Sequence, residues 1–512
     1  MSEVASREAC VTDHPGSSGA DVLWTSLGLV APLNARVSGG VPESDATGVS
    51  IDTRTLEPGD LFVAISGANN DGHDYVAAAF AKGAVAAVVD EAHAAALANI
   101  GPLYVVRDVL PALERLGVAA RARTKARVVA VTGSVGKTST KEALRVALTQ
   151  GGAVHASVAS YNNHWGVPLT LSRMPKATRF GIFEIGMNHA DEITPLTAMV
   201  RPHVAIITTV AAVHIENFPN VEAIADAKAE IFDGLEPGGV AILQRDNPHF
   251  ERLLARAKAS PAGLVASFGE DESADARLVS ARLAADHSIV EARICGRRVH
   301  YRLGAAGRHL AINSLAVLLA AKAVGVDLDA AAGALAFFTA QPGRGQRLTL
   351  AADGGAYALL DESYNANPAS MRAAFELAGA LPLAAGGRRI AALGDMLELG
   401  PDAPAMHAGL AEDLAANHVE LVFAAGPLMK SLYDALPASM RGAWCDSASD
   451  LEPIVAQAVR AGDILVVKGS NGSKMSAIVG GLKRRAEALE EADRPEAGQP
   501  AARETNQKER NR

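Results

Sequence analysis

The run Thr132-Gly133-Ser134-Val135-Gly136-Lys137-Thr138 constrains this chain more than any other stretch. It follows Val128-Val129-Ala130-Val131, a short apolar run that reads as a buried strand, and it opens a helical pattern from about Lys137. In such a setting the glycines let backbone N–H groups wrap a phosphate, and the helix N-terminus favours negative charge. Lys137 can reach the β- and γ-phosphates of a nucleotide, and Thr138 can bind Mg2+. The usual phosphate loop has one more glycine, five residues before Gly136. Val131 stands there, so this is the shortened form. An ordinary glycine-rich turn is the alternative, and the flanking strand and helix weigh against it.

Around that loop, apolar strands at 180–185, 204–208 and 240–243 alternate with helices, which implies a parallel sheet covered on both faces. Upstream, a strand at 60–66, a helix at 73–83 and a strand at 84–90 form a small α/β unit, and the charged stretch 121–127 is a hinge. Downstream, Gln341-Pro-Gly-Arg-Gly345 suits a linker, and strands at 358–361, 389–393, 421–424 and 464–467 make a third, doubly wound α/β unit. The expected architecture is therefore α/β in three domains, at 1–124, 125–342 and 343–485, which fits about 150 residues per domain. Residues 1–20 read as a loose arm and 486–512 as a frayed helix followed by a disordered tail.

A net charge of −9, from 48 basic and 57 acidic side chains, argues against a nucleic-acid binder but leaves room for a local basic pocket. Cys10, Cys295 and Cys445 are far apart and odd in number, as expected of reduced thiols in the cytoplasm. Neither a signal peptide nor a membrane-spanning run is expected.

Three further residues stand out. Glu184 ends the strand at 180–185, and ligands bind at the carboxyl ends of parallel strands. It is either a metal ligand beside the phosphate loop or a solvated acid. His214 follows the strand at 204–208 and a Thr-Thr turn, and is either a ligand or a structural histidine. Lys228 sits four residues after Ile224 and three before Ile231, inside the apolar stripe of a helix at 221–235. Either it snorkels from the helix edge or it is a lysine altered or desolvated at a site.

Taken in order, the phosphate loop, Tyr161-Asn-Asn-His-Trp-Gly-Val-Pro168, Phe183-Glu-Ile-Gly-Met-Asn188, His214, Ala227-Lys-Ala-Glu230 and Gly307-Arg-His-Leu-Ala-Ile-Asn313 resemble the Mur ligases, three-domain enzymes that build the peptide of peptidoglycan. The resemblance runs from about 48 to 480. It implies a small N-terminal UDP-binding domain, a central ATPase domain and a C-terminal Rossmann-like domain. It implies that Gly133, Ser134, Gly136, Lys137, Thr138 and Ser139 bind ATP, and that Asn313 contacts the adenine. Glu184, His214 and a carbamylated Lys228 would hold a second Mg2+, while Thr138 and Glu184 hold the first. Lys137, Lys228 and His214 would then be the catalytic set. Arg344 and Arg347 near the hinge, and Asp361 at a third-domain strand end, are expected to meet ATP once the domains close.

The first and third domains narrow the resemblance. Ser50-Ile-Asp-Thr-Arg54, Pro58-Gly-Asp-Leu-Phe-Val-Ala64 and Asp71-Gly-His73 look like the domain that cradles the UDP end in the tripeptide- and dipeptide-adding members. Asp361-Glu-Ser-Tyr-Asn-Ala-Asn-Pro368, Leu393-Gly-Asp-Met-Leu-Glu-Leu-Gly400 and Val467-Lys-Gly-Ser470 look like the dipeptide-adding member, although Asn471-Gly-Ser-Lys-Met475 departs from its commoner continuation. This implies UDP-N-acetylmuramoyl-tripeptide and D-alanyl-D-alanine as substrates. Ser50, Asp52, Arg54, Asn162, Asn163, Tyr364, Asn365, Asn367 and Lys468 are the candidate substrate-binding residues. The resemblance also implies an acyl-phosphate route and a cytoplasmic location; a monomer without membrane insertion is expected. The alternatives are a folate-polyglutamating relative, which lacks the UDP-binding domain, and a phosphate-loop switch protein, for which no Asn-Lys-x-Asp motif is present.

Overall fold

Runs of Val, Ile, Leu and Phe bounded by glycine and proline become strands buried on both faces when helices cover each side. Residues 128–131, 180–184 and 204–207 lose nearly all contact with solvent in this way. The structure, a computed structural model, describes residues 21–67, 70–158, 160–284 and 286–492. The expected arm at 1–20 and the tail beyond 492 lie outside the described residues. The last helix, Ser476–Ala492, continues past the boundary expected at 485.

Three sheets form among the described residues. The first contains β1 (Arg36–Ser38), β2 (Gly48–Ser50), β3 (Asp60–Val63), β4 (Ala86–Asp90) and β5 (Leu103–Val106), in the order β1-β5-β4-β3-β2. Only β1 runs antiparallel to its neighbour. The second contains β6 (Arg127–Thr132), β7 (Val154–Ala156), β8 (Phe180–Glu184), β9 (Val204–Ile207), β10 (Gly239–Gln244), β11 (Ala262–Gly269), β12 (Ala276–Leu283), β13 (Ser288–Ile294) and β14 (Arg297–Leu303). Its order is β14-β13-β12-β11-β10-β9-β6-β8-β7. The third contains β15 (Gln346–Ala352), β16 (Gly355–Glu362), β17 (Arg389–Gly394), β18 (Leu421–Ala425), β19 (Arg441–Cys445) and β20 (Ile464–Lys468), in the order β15-β16-β20-β17-β18-β19.

The second sheet departs from the all-parallel expectation. β7 to β12 are parallel, but β12, β13 and β14 pair antiparallel. The reason is local. Arg297-Arg-Val-His-Tyr-Arg-Leu303 alternates polar with apolar, and from Val299 onward the apolar positions are the buried ones. Cys295 and Gly296 both adopt positive φ, 47° and 84°, which fits the tight hairpin between β13 and β14. A sheet with one wet face is the antiparallel kind.

The chain divides into two compact units: residues up to Ala126 with Ser157–Thr178, and Arg127–Ala156 with the chain from Arg179 onward. The segment Ser157–Thr178, expected within the central domain, is thus part of the first unit. Its Leu169 joins Trp24, Leu61, Val88, Tyr104 and Leu116 in one core. Trp24 Nε1 donates to Ser172 O at 2.9 Å, and Arg173 Nε donates to Val49 O at 2.6 Å.

In the larger unit the helices Lys137–Thr149 and Arg308–Ala323 pack Leu144, Leu148, Leu315 and Leu318 against Val129, Ile182 and Ile206 of the second sheet. The third sheet is covered on both faces, by Met371, Phe375, Leu414 and Leu432 on one and by Leu451, Val455 and Ile478 on the other. The helix Pro368–Ala380 starts where Asn367 accepts from Ser370 N at 2.9 Å while Ser370 Oγ accepts from Asn367 N at 3.0 Å. Asn367→Ala is expected to cost about 1 kcal/mol, seen as an earlier urea midpoint for the third sheet's domain.

Candidate active site

The phosphate loop leaves the carboxyl end of β6 and turns into the helix Lys137–Thr149. Gly136 has φ 86°, and a Cβ there would meet Asn313 Nδ2 at 2.5 Å, so only glycine lets the loop lie against that asparagine. The expected adenine residue and the loop are therefore neighbours. Thr208, at the end of β9, donates from Oγ1 to Val135 O at 2.5 Å and braces the loop from below. Ser134 N donates to Thr209 O at 2.9 Å, and Ser134 Oγ exchanges hydrogen bonds with Ala211 N and O at 2.9 and 3.0 Å. Ser139 Oγ donates to Gly136 O at 3.1 Å, inside the first helical turn.

Lys137 Nζ donates to Gly133 O at 2.7 Å, which curls it over the loop. Burial lowers its pKa; Glu184 opposes that shift and Arg344 adds to it. Thr138 Oγ1 donates to Glu184 Oε2 at 2.9 Å, both residues being buried. The expected ligands of a first Mg2+ thus meet directly. His214 lies close enough to Lys137 and Lys228 for both charges to push its pKa down, in the same direction as the larger effect of burial; Glu398 pulls the other way.

Lys228 is 3% exposed, on the helix Val221–Ala229. Burial holds its pKa well below the ordinary lysine value, and Lys137 lowers it further. The snorkelling alternative is excluded by that depth. Lys137, Thr138, Glu184, His214 and Lys228 form one constellation.

The third sheet brings its own group to the same unit. Asp361, buried at the end of β16, accepts from Gly343 N at 3.0 Å and from Ser363 N and Oγ at 3.2 and 2.6 Å. Its carboxylate therefore holds the linker turn. Arg344, one residue on, stacks its guanidinium 3.8 Å from the centroid of the Tyr364 ring. Lys468 Nζ, buried, donates to Asn365 O at 2.9 Å and to Glu362 Oε2 at 3.4 Å. Burial lowers its pKa against the pull of Glu362. Asn367 is occupied as the helix cap described above.

The remaining candidates belong to the first unit. Asp52 takes the Arg54 guanidinium through both oxygens, at 3.0 and 2.6 Å, and Ser50 Oγ accepts from Asp52 N at 3.3 Å. The Arg54 bond holds Asp52 below the usual carboxylate range. Asn163 Oδ1 accepts from Gly166 N at 2.9 Å and shapes the start of the helix Gly166–Ser172. Asn162, Asn163 and the Ser50–Arg54 turn therefore share a unit. Nearby, His73 Nδ1 donates to Asp71 Oδ1 at 2.6 Å while its Nε2 accepts from Asp90 N at 3.1 Å. His73 stacks on His93 with ring centroids 3.9 Å apart. Both nitrogens of His73 are spent on these bonds, so the Asp-Gly-His motif fastens β4 to the turn at 71–75.

Sequence reasoning missed three residues. Glu398 accepts from His214 Nδ1 across 184 positions of sequence. Glu230 caps the helix Ile193–Val200 through Asp191 N, Ile193 N and Thr194 N at 2.8 to 3.1 Å. Glu362 faces Lys468. All three lay inside quoted motifs, and the carboxylates were the available signal.

A phosphate loop on a parallel sheet, followed by a second α/β domain that brings residues to the same site, defines a class of nucleotide-dependent ligases. The comparisons agree. The Mur ligase middle domain matches residues 131–321, the glutamate ligase domain of Mur ligases matches 343–471, and the Mur ligase family catalytic domain matches 45–143. The chain belongs to the Mur ligase family.

Its similarities narrow to one branch, the UDP-N-acetylmuramoyl-tripeptide--D-alanyl-D-alanine ligases. The enzyme of that name from Rickettsia prowazekii is 30% identical over 458 residues, covering 90% of this chain and 99% of the relative. The one from Escherichia coli is 34% identical over 398 residues, covering 77% and 84%. A crystal structure of MurF from Acinetobacter baumannii superposes with a TM-score of 0.78 at 27% identity, covering 90% and 99%. Among the described residues no helix is long and apolar enough to cross a membrane.

Proposed function

We propose that this chain joins D-alanyl-D-alanine to UDP-N-acetylmuramoyl-tripeptide with ATP, releasing ADP and phosphate, in the cytoplasm. The observation that carries the reading is the meeting of Lys137, Thr138, Glu184, His214 and a buried Lys228 around one phosphate loop, in a chain whose relatives carry that activity over nearly their whole length.

A carboxylate and an amine do not condense in water unaided. Transfer of the γ-phosphate to the tripeptide carboxylate gives an acyl phosphate; the dipeptide amine attacks it, and the tetrahedral intermediate expels phosphate. Backbone N–H groups of the loop hold the phosphates, and Lys137, released from Gly133 O, meets the charge that builds on the transferring group. Arg344, close enough to Lys137 to lower its pKa, adds positive charge from the linker. Asn313 stands beside Gly136, where it can meet the base.

The residues fit Mg2+. Thr138 and Glu184 supply the oxygen donors such an ion prefers. Glu184, His214 and Lys228 fit a second ion only if Lys228 is carbamylated, because an amine is a poor Mg2+ ligand and an ammonium repels it. Burial lowers the pKa of Lys228, which favours the neutral amine, the form that can add CO2 and lose a proton to give a carbamate. Bound Mg2+ would neutralise phosphate and carboxylate charge as they approach.

In the first unit, Ser50, Asp52, Arg54, Asn162 and Asn163 are the groups proposed for the UDP-tripeptide. In the third domain, Tyr364, Asn365 and Lys468 are proposed for the dipeptide. Phosphate release by the purified protein is expected to need ATP, UDP-tripeptide and D-alanyl-D-alanine together. Equal release with the dipeptide omitted would overturn the assignment.

A further inference from the structure

One side chain of the third domain, Glu398, ends on His214 of the central site. The turn after β17 is held on both sides of Glu398: Met396 N donates to His407 Nε2 at 2.9 Å, Leu397 N donates to Ser470 Oγ at 3.0 Å, and Leu399 is buried. Between these anchors Glu398 takes φ 62°, a left-handed conformation uncommon for a residue with a side chain. Its carboxylate ends on His214 Nδ1.

His214 is itself left-handed, at φ 57°. Its loop is tied to the phosphate loop through the paired hydrogen bonds of Ala211 and Ser134. Gly400, at φ 67°, closes the contact: a Cβ there would stand 3.5 Å from Glu216 Cα, so the two turns abut. Two residues in left-handed backbone, facing each other from different domains, mark strain kept for a purpose.

We infer that Glu398 is a positioning residue that fixes the tautomer and ring orientation of His214, so that this ligand is fully set only when the third domain is in place. The inference rests on the reading of His214 as a metal ligand. A carboxylate on Nδ1 makes that nitrogen the protonated one and leaves Nε2 as the ring's lone pair, the state in which imidazole binds a cation. Carboxylate partners of ligating histidines commonly carry about 10–100-fold in metal affinity.

The test is a titration of the full chain with Mn2+ in the presence of a non-hydrolysable ATP analogue, followed by electron paramagnetic resonance, alongside 15N chemical shifts of the histidine ring nitrogens without metal. Glu398→Ala is expected to weaken the second Mn2+ site about tenfold and to let His214 populate the Nε2–H tautomer, with the analogue still bound. Glu398→Gln, whose amide oxygen can accept the same N–H, should retain the tautomer and most of the affinity. In a His214→Ala background, Glu398→Ala should add nothing. Wild-type Mn2+ affinity and unchanged His214 shifts in Glu398→Ala would overturn the inference. Wild-type affinity in His214→Ala would instead overturn the metal reading on which it rests.

Discussion

Lys137→Ala is expected to leave a folded protein whose turnover falls by ~10²–10³. The side chain is half-buried and donates at 2.7 Å to Gly133 O within its own loop, so removing it empties no core. What is lost is the positive charge that meets the γ-phosphate as it transfers. Such a group acts in the transition state more than on binding, so the fall belongs in kcat, with a smaller change in KM for ATP. Arg344 carries charge near the same place, and its presence keeps the loss from being total. Steady-state phosphate release with both cosubstrates saturating reads the effect. Turnover within a few-fold of wild type would remove Lys137 from the chemistry and leave the loop as a binding element alone.

The loop and the strands were legible because their signals are local. The phosphate loop announces itself within seven residues, and the buried strands at 128–131 and 204–207 are continuous apolar runs. Lys228 was legible as a charge on an apolar stripe, with snorkelling and desolvation both open, and its burial decides between them. The hairpin β13–β14 was also written locally, in the alternation of residues 297–303 after Cys-Gly, a pattern unlike the unbroken apolar runs that mark parallel strands.

Long-range partnership was not legible. Nothing in Leu393-Gly-Asp-Met-Leu-Glu-Leu-Gly400 says that its glutamate ends on a histidine 184 residues earlier. Nor does the segment Ser157–Thr178 reveal that it packs with the first unit, because its short helix Gly166–Ser172, buried throughout, would suit either. Asp361 illustrates a third case: the strand-end carboxylate was correctly placed, yet the group it holds, Gly343 N at 3.0 Å, belongs to the linker.

The second large effect is expected at Lys228. A bare ammonium at 3% exposure is costly to keep, and Lys137 lies near enough to repel it. When the neutral amine adds CO2 the repulsion by Lys137 becomes an attraction, and the carbamate supplies the negative charge that a metal bound here would pair with. Lys228→Ala should therefore abolish most turnover, by about the two to three orders of magnitude typical of losing an electrostatic group at the reacting centre. ATP binding should persist, because the phosphate loop, Lys137 and Thr138 are untouched. Lys137 lies near the vacated space, so acetate at high concentration should restore part of the activity, and neutral acetamide, of similar size, should not. Raising dissolved CO2 should speed recovery of wild-type enzyme first stripped of CO2 at low pH, and should do nothing for the alanine variant. Equal rescue by acetate and acetamide would mean that the side chain only fills a cavity. Intact-mass and crystallographic evidence of an unmodified Lys228 in fully active wild-type enzyme would end the carbamate assignment.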